Sequence, residues 1–150
     1  MKYDDANWHY NGEFPSESPR EFGGTHIALF LKWCFMQGWA GQFHLDEAPR
    51  DVQRVAEGDL AATEFFFEHC DGKLTDEDLS AEGNNFAEQY YGDDGLYLTD
   101  FADNFAQQMY VEPEEAHDFT TFASVLDTRL KTGILTEQQA KAARPWWKLF

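Results

Sequence analysis

Apolar positions fall mostly at helical spacing along the chain, and the densest of them lie between Thr25 and Trp39, where THIALFLKWCFMQGW is apolar on nearly every side. Wound as a helix, the run puts Ile27, Phe30, Leu31, Cys34 and Phe35 on one face, while Leu29, Trp33 and Met36 cover much of the other. Lys32 is the one charge in its interior. A helix apolar all round is one that its neighbours wrap, so a central core helix is expected over 25–38 with later segments packed around it. About a dozen residues at ~1.5 Å each reach ~18 Å, short of the ~30 Å hydrocarbon layer, so a membrane span is excluded for this run.

The rest of the pattern is a series of shorter amphipathic segments separated by turn residues. Before the core helix, Trp8 to Phe14 reads as a small N-terminal β-hairpin turning at Asn11-Gly12, followed by extended chain at Pro15 and Pro19. Thr25 is the expected cap of the core helix, with Gly38 and Gly41 ending it. Pro49 opens a short helix through Val52 and Val55 to Gly58, and another runs from Asp59 or Thr63 to Cys70, stopped by Asp71-Gly72. Thr75 with Asp78 reads as a capping box opening a helix that carries Leu79, Phe86, Ala87, Tyr90 and Tyr91, in which Gly83 lets a neighbour approach closely. Thr99-Asp100 caps a helix bearing Phe101, Phe105 and Met109. Pro113-Glu114-Glu115 starts one whose face is Ala116, Phe119, Ala123, Leu126 and Leu130, closed by Gly133. Thr136 to Gln139 caps a last short helix, and Pro145 begins an aromatic tail. The sum is one all-α domain over residues 1–150, with about seven helices and a small N-terminal hairpin.

Composition sharpens this picture in two ways. With 14 Phe, 6 Tyr and 5 Trp in 150 residues, large side chains can supply a real core without disulfides or metal. Cys34 and Cys70 each sit in an apolar helical pattern, which suits reduced core thiols and a cytoplasmic protein, and MKYDDANWHY lacks the apolar stretch of a signal peptide. The 28 acidic residues against 11 Lys and Arg leave a formal charge of -17. Such a surface repels phosphate backbones and anionic lipid, which argues against nucleic-acid and membrane partners, and it attracts a basic protein.

Candidate chemistry is sparse. Asp4, Asp5 and His9 lie close in sequence and folding could bring His26 to them, which is the material for a metal site, but no pair has a dedicated spacing such as H-E-x-x-H. His44, His69 and His117 add no spacing of their own. Asp71 to Asp78 fails as an EF-hand loop, since Phe67 and His69 would occupy ligand positions that require oxygen. No nucleophile elbow or phosphate loop is present, so no catalytic residue and no cofactor are assigned. Acidic clusters recur at Asp46-Glu47, Asp76-Glu77-Asp78, Asp93-Asp94 and Glu112 with Glu114-Glu115. Those in helix first turns are explained by the helix dipole. Asp93 and Asp94, in a glycine-flanked loop beside Tyr90, Tyr91 and Tyr97, have the composition of a contact surface, and with Asp76, Glu77 and Asp78 they form the expected partner-binding set.

Three stretches also resemble a known family: Lys2-Tyr3-Asp4-Asp5-Ala6 with Trp8-His9 and Phe14-Pro15; Thr25-His26-Ile27 leading to Phe30 and Trp33; and Cys70 to Lys73 with Gly83-Asn84 before Tyr90-Tyr91-Gly92. The pattern, which covers the chain to about Tyr110, is similar to a family of small acidic bacterial proteins classed as a domain of unknown function. The resemblance implies a bacterial cytoplasmic protein and brings no catalytic residues. By analogy with small acidic bacterial proteins, the sequence is read first as an immunity-type inhibitor of a basic toxin. The alternatives are a metal-dependent hydrolase using Asp4, Asp5, His9 and His26, and a nucleic-acid mimic. Oligomeric state is not legible.

Overall fold

The structure is a computed structural model that describes residues 1–12, 14–15, 19–112 and 119–144. Strand β1 (Lys2–Asp5) leads directly into helix α1 (Ala6–Tyr10), and a 3-10 turn at Arg20–Gly24 feeds the core helix α2 (Thr25–Met36). Helices α3 (Gln42–Glu47), α4 (Pro49–Glu57) and α5 (Ala62–His69) follow, then strand β2 (Lys73–Thr75) and a 3-10 turn at Asp76–Asp78. Helices α6 (Ala81–Tyr90), α7 (Tyr97–Asn104), α8 (Phe119–Thr132) and α9 (Glu137–Ala143) complete the order. The chain is mostly helical with one small antiparallel sheet.

The core helix is where its pattern puts it. Every residue of α2 is buried except Lys32 and Met36, and it packs chiefly on α4 and α5, with α8 alongside. Fully burying a Phe or Leu contributes about 1.5–3 kcal/mol, so Ile27, Phe30, Leu31 and Trp33, all fully buried, make this helix the energetic centre. Lys32, half-buried, places its ammonium 4.3 Å over the Phe119 ring, which keeps the charge at an electron-rich face. Thr25 is the first helical residue rather than the cap; Gly24 holds that position and the Thr25 hydroxyl instead donates to the carbonyl of Val111 at 2.9 Å. At the other end Gly38 has φ 81°, and the amides of Gly38 and Trp39 return to the carbonyls of Phe35 and Cys34 at 3.0 Å each. That paired closure satisfies two of the last free carbonyls and needs a residue at ease with positive φ.

The N-terminal sheet is not a local hairpin. β1 pairs with β2, with Lys2 opposite Thr75, Asp4 opposite Leu74 and Asp5 opposite Lys73, and the register shifts between Lys2 and Asp4. Trp8, His9 and Tyr10, expected in a strand, are helical because Asp5 caps α1, its carboxylate accepting from the Asn7 amide at 2.8 Å. Asn11-Gly12 then ends that helix instead of turning a hairpin. The Thr75–Asp78 capping box is present but opens only the 3-10 turn; α6 starts afresh with Ser80 accepting from the Gly83 amide. α7 begins at Tyr97, two residues before its expected cap. Pro49, Gly58, Gly133 and the Thr136–Gln139 box all sit at the helix ends they announced. The helix start at Pro113 to Ala116, His117 and the tail from Pro145 lie outside the described residues, as does Glu13 of the expected hairpin.

Candidate functional site

The residues that carry the family resemblance meet at one place. The antiparallel pairing of β1 with β2 turns Asp4 inward, α1 carries His9 back over it, and the first turn of α2 presents His26 from below. His9 Nε2 lies 2.9 Å from Asp4 Oδ1, His26 Nε2 lies 3.1 Å from Asp4 Oδ2, and the two Nε2 atoms are 3.1 Å apart. Tyr91 donates its hydroxyl to Asp4 Oδ2 at 2.6 Å, and Tyr110 lies 3.1 Å from His9 Nδ1. Burial alone would raise the Asp4 carboxyl, but hydrogen bonding to His26, His9 and Tyr91 overrides it and holds the group well below the usual carboxylate range. Burial acts the other way on His26, pulling the pKa of the fully buried ring down against the pull of Asp4. The Nδ1 of His26 is the single buried side-chain polar atom without a partner among the described residues. Asp5 does not join; it caps α1 and accepts from Lys2 at 2.9 Å.

Asp4 and His9 also form part of the wall of a cavity of about 440 Å³ between the N-terminal segment and the 90–99 region. Among the described residues no lysine or arginine lines it, whereas Asp93 and Glu137 do, together with the half-exposed Trp8, over whose ring Lys2 Nζ lies at 5.3 Å. Tyr3, on the same wall, ties this cavity to a second group of acids: burial first, then the nearby Glu88 and Asp76, push its pKa up to about 12. Exposed Asp76, Glu88, Asp93 and Glu137 therefore border one face. The Glu137 amide bonds the Asp94 carbonyl at 3.0 Å, which fixes the start of α9 beside the 92–95 loop.

Of the expected contact residues, Asp76, Glu77, Asp93 and Asp94 are exposed as a contact surface requires. Tyr90, Tyr91 and Tyr97 are not: all three are buried, stacked among one another and against Phe30, with hydroxyls donating to Asp100, Asp4 and the His26 carbonyl. The loop itself is on the surface, but the helices on either side of it turn their aromatic faces into the core. Asp78 is also buried, its Oδ1 2.7 Å from His44 Nε2 and its Oδ2 accepting from the Thr75 amide at 2.8 Å.

Two further constellations had no sequence signal beyond their residue types. His44, Cys70 and Asp78 form a second buried group, with Cys70 Sγ 3.7 Å from His44 Nε2. Asp100 accepts from Arg129 Nε at 2.8 Å and Nη2 at 3.0 Å, and from Tyr90 at 2.6 Å, joining α6, α7 and α8. Both cysteines are buried free thiols whose pKa values burial pushes up.

Fold and site together define a helical domain with a His/Asp cluster beside a cavity that has Asp93 and Glu137 on its wall. Residues 2–117 match the family model described as a domain of unknown function, DUF7832, and the chain belongs to that family. No curated protein and no solved structure matches the chain. Among the described residues no helix is long and apolar enough to cross a membrane.

Proposed function

We propose that this chain is a protein-binding module that docks a basic partner on the face bordered by Asp76, Glu88, Asp93 and Glu137. In its more specific form the reading is an immunity-type inhibitor that covers the working site of a basic toxin in the bacterial cytoplasm. The observation that carries it is the exposed carboxylates at a cavity whose described lining holds no lysine or arginine and whose edge is Trp8, with Lys2 Nζ 5.3 Å from the ring, in a chain of formal charge -17. Arginine and lysine side chains are attracted both by such carboxylates and by an aromatic face. The test is association kinetics with the basic toxins encoded beside the gene. Binding should slow steeply between low and physiological salt, and Asp93→Lys with Glu137→Lys should cut the association rate by about tenfold while leaving the fold intact. Protection against none of those toxins, or an association rate indifferent to both salt and the charge reversals, removes the reading.

A second reading, metal-dependent hydrolysis, draws on Asp4, His9 and His26 meeting beside the same cavity. Its first requirement is that these three residues hold a metal. No comparable observation favours the nucleic-acid mimic, which needs a linear array of carboxylates, whereas the exposed acids are spread from Glu21 to Glu137.

A further inference from the structure

The Asp4 carboxylate on β1 meets Nε2 of both His9 on α1 and His26 on α2: Oδ1 lies 2.9 Å from His9 Nε2, Oδ2 lies 3.1 Å from His26 Nε2, and the two nitrogens are 3.1 Å apart. Hydrogen bonding alone accounts for this poorly. A neutral imidazole has one N–H, and if both histidines direct it at Asp4, two N–H groups confront each other across 3.1 Å. If either ring flips its tautomer, its bare Nε2 faces a carboxylate oxygen at 2.9 or 3.1 Å, lone pair against lone pair, although the Asp5 amide and the Tyr91 hydroxyl still donate to Asp4. A cation at the shared position resolves the conflict, since both ring lone pairs and the carboxylate then face the same charge. Tetrahedral zinc, with ligand bonds of about 2.0–2.2 Å, sets its ligand atoms roughly 3.3 Å apart, close to the spacings found here.

We infer that Asp4, His9 and His26 form a binding site for a divalent first-row transition-metal ion. Two imidazoles and one carboxylate are a donor set of intermediate hardness, suited to zinc, iron, manganese or cobalt and unsuited to calcium or magnesium. Two of the three ligands have the outer contacts such ligands need, while His26 Nδ1 has none among the described residues. The Asp5 amide donates to Asp4 Oδ1 at 2.8 Å and Tyr91 to Oδ2 at 2.6 Å, which orients the carboxylate, and Tyr110 meets the far nitrogen of His9, fixing the ring. His9 is partly exposed and shares the cavity wall with Asp4, which provides a path for entry and for a fourth, exchangeable ligand. The His44, Cys70 and Asp78 group lacks these features. All three are buried, none lines the cavity, and burial pushes the thiol pKa up. The proposed metal uses the floor of the cavity and the proposed partner its rim, so neither reading depends on the other.

The test uses the full chain freed of metal by chelator and titrated with cobalt(II), followed by its visible absorption, with zinc added in competition. One equivalent of cobalt should bind, giving the d–d bands of a low-coordinate nitrogen and oxygen site, and zinc should bleach them. Cobalt binding should broaden or shift the His9 and His26 ring signals in NMR while leaving those of His44 and His69 in place. His9→Ala should weaken zinc binding at least ~100-fold, and Cys70→Ser should leave it unchanged. No stoichiometric binding by the wild-type chain, shifts centred on His44, or loss of binding in Cys70→Ser would each overturn the assignment. Because the cobalt and NMR arms use the wild-type protein, they decide the matter even if His9→Ala proves unstable.

Discussion

Phe30 shows how much one residue can carry. Its ring is fully buried and meets Trp33, Phe86, Tyr90, Tyr91 and Tyr97 at centroid distances of 5.0–6.4 Å, so truncation opens a cavity that rigid aromatic neighbours cannot close. Phe30→Ala should cost about 3–5 kcal/mol in denaturant unfolding; unchanged stability would mean the core lies elsewhere. Residue types were the part of the site most legible in sequence: Asp4, Asp5, His9 and His26 form the alternative metal set, of which Asp5 does not join the cluster. Their convergence was not legible, because it is made by the pairing of β1 with a strand some 70 positions away and by a helix start. The tyrosines show the opposite failure. Asp93 and Asp94 mark an exposed loop correctly, but exposure of a loop says nothing about the side chains of the helices that flank it.

At the level of elements, local signals with a physical mechanism were read well. Gly58 and Gly133 stop their helices with φ of 85° and 72°, and the Thr136 box caps α9. What joins elements was not read, and the Asp100–Arg129 pair is the clearest instance, linking α7 to α8 with Tyr90 of α6. Asp100→Ala should destabilise by about 2–4 kcal/mol, since it strands a half-buried guanidinium and a buried hydroxyl; a double-mutant cycle with Arg129→Met measures the coupling. Gly83 offers a subtler test. An alanine there gains up to ~1 kcal/mol of helix propensity, yet its Cβ would stand 3.1 Å from the Cβ atoms of both Leu79 and Trp39 and 3.3 Å from the Trp39 carbonyl. Those atoms sit on or next to backbone and cannot swing aside, so Gly83→Ala should be net destabilising by about 1–2 kcal/mol in thermal or denaturant melts.

For the whole molecule, charge and buried phenols set the response to solution conditions. Tyr90 and Tyr97 have pKa values raised chiefly by burial, with the carboxylates around them adding to it, and Tyr3 is pushed up to about 12. A phenol whose folded pKa exceeds its unfolded value near 10 keeps its proton in the native state after the unfolded chain has lost it. Stability from these groups is complete below pH 10 and declines as pH rises beyond it, by up to roughly 1.4 kcal/mol per pH unit for each of Tyr90 and Tyr97. Unfolding curves at pH 8, 10 and 11 should show that fall, with the tyrosinate absorbance of Tyr90 and Tyr97 rising only as the protein unfolds. Self-repulsion at a formal charge of -17 adds a second expectation: moderate sodium chloride should raise the melting temperature.

The pairing of β1 with β2 also has a consequence in time. Asp4 has its full set of neighbours only when Lys73–Thr75 supply the adjoining strand and Tyr91 its hydroxyl, so this segment waits for chain made well after it. At about 5–20 residues per second, a ribosome needs roughly 5–20 s to go from Asp4 to Tyr91, and until then the segment from Lys2 to His9 lacks its partner strand. A nascent chain halted before β2 should leave that segment open to protease even after the core helix is out, and one extended past Tyr91 should protect it.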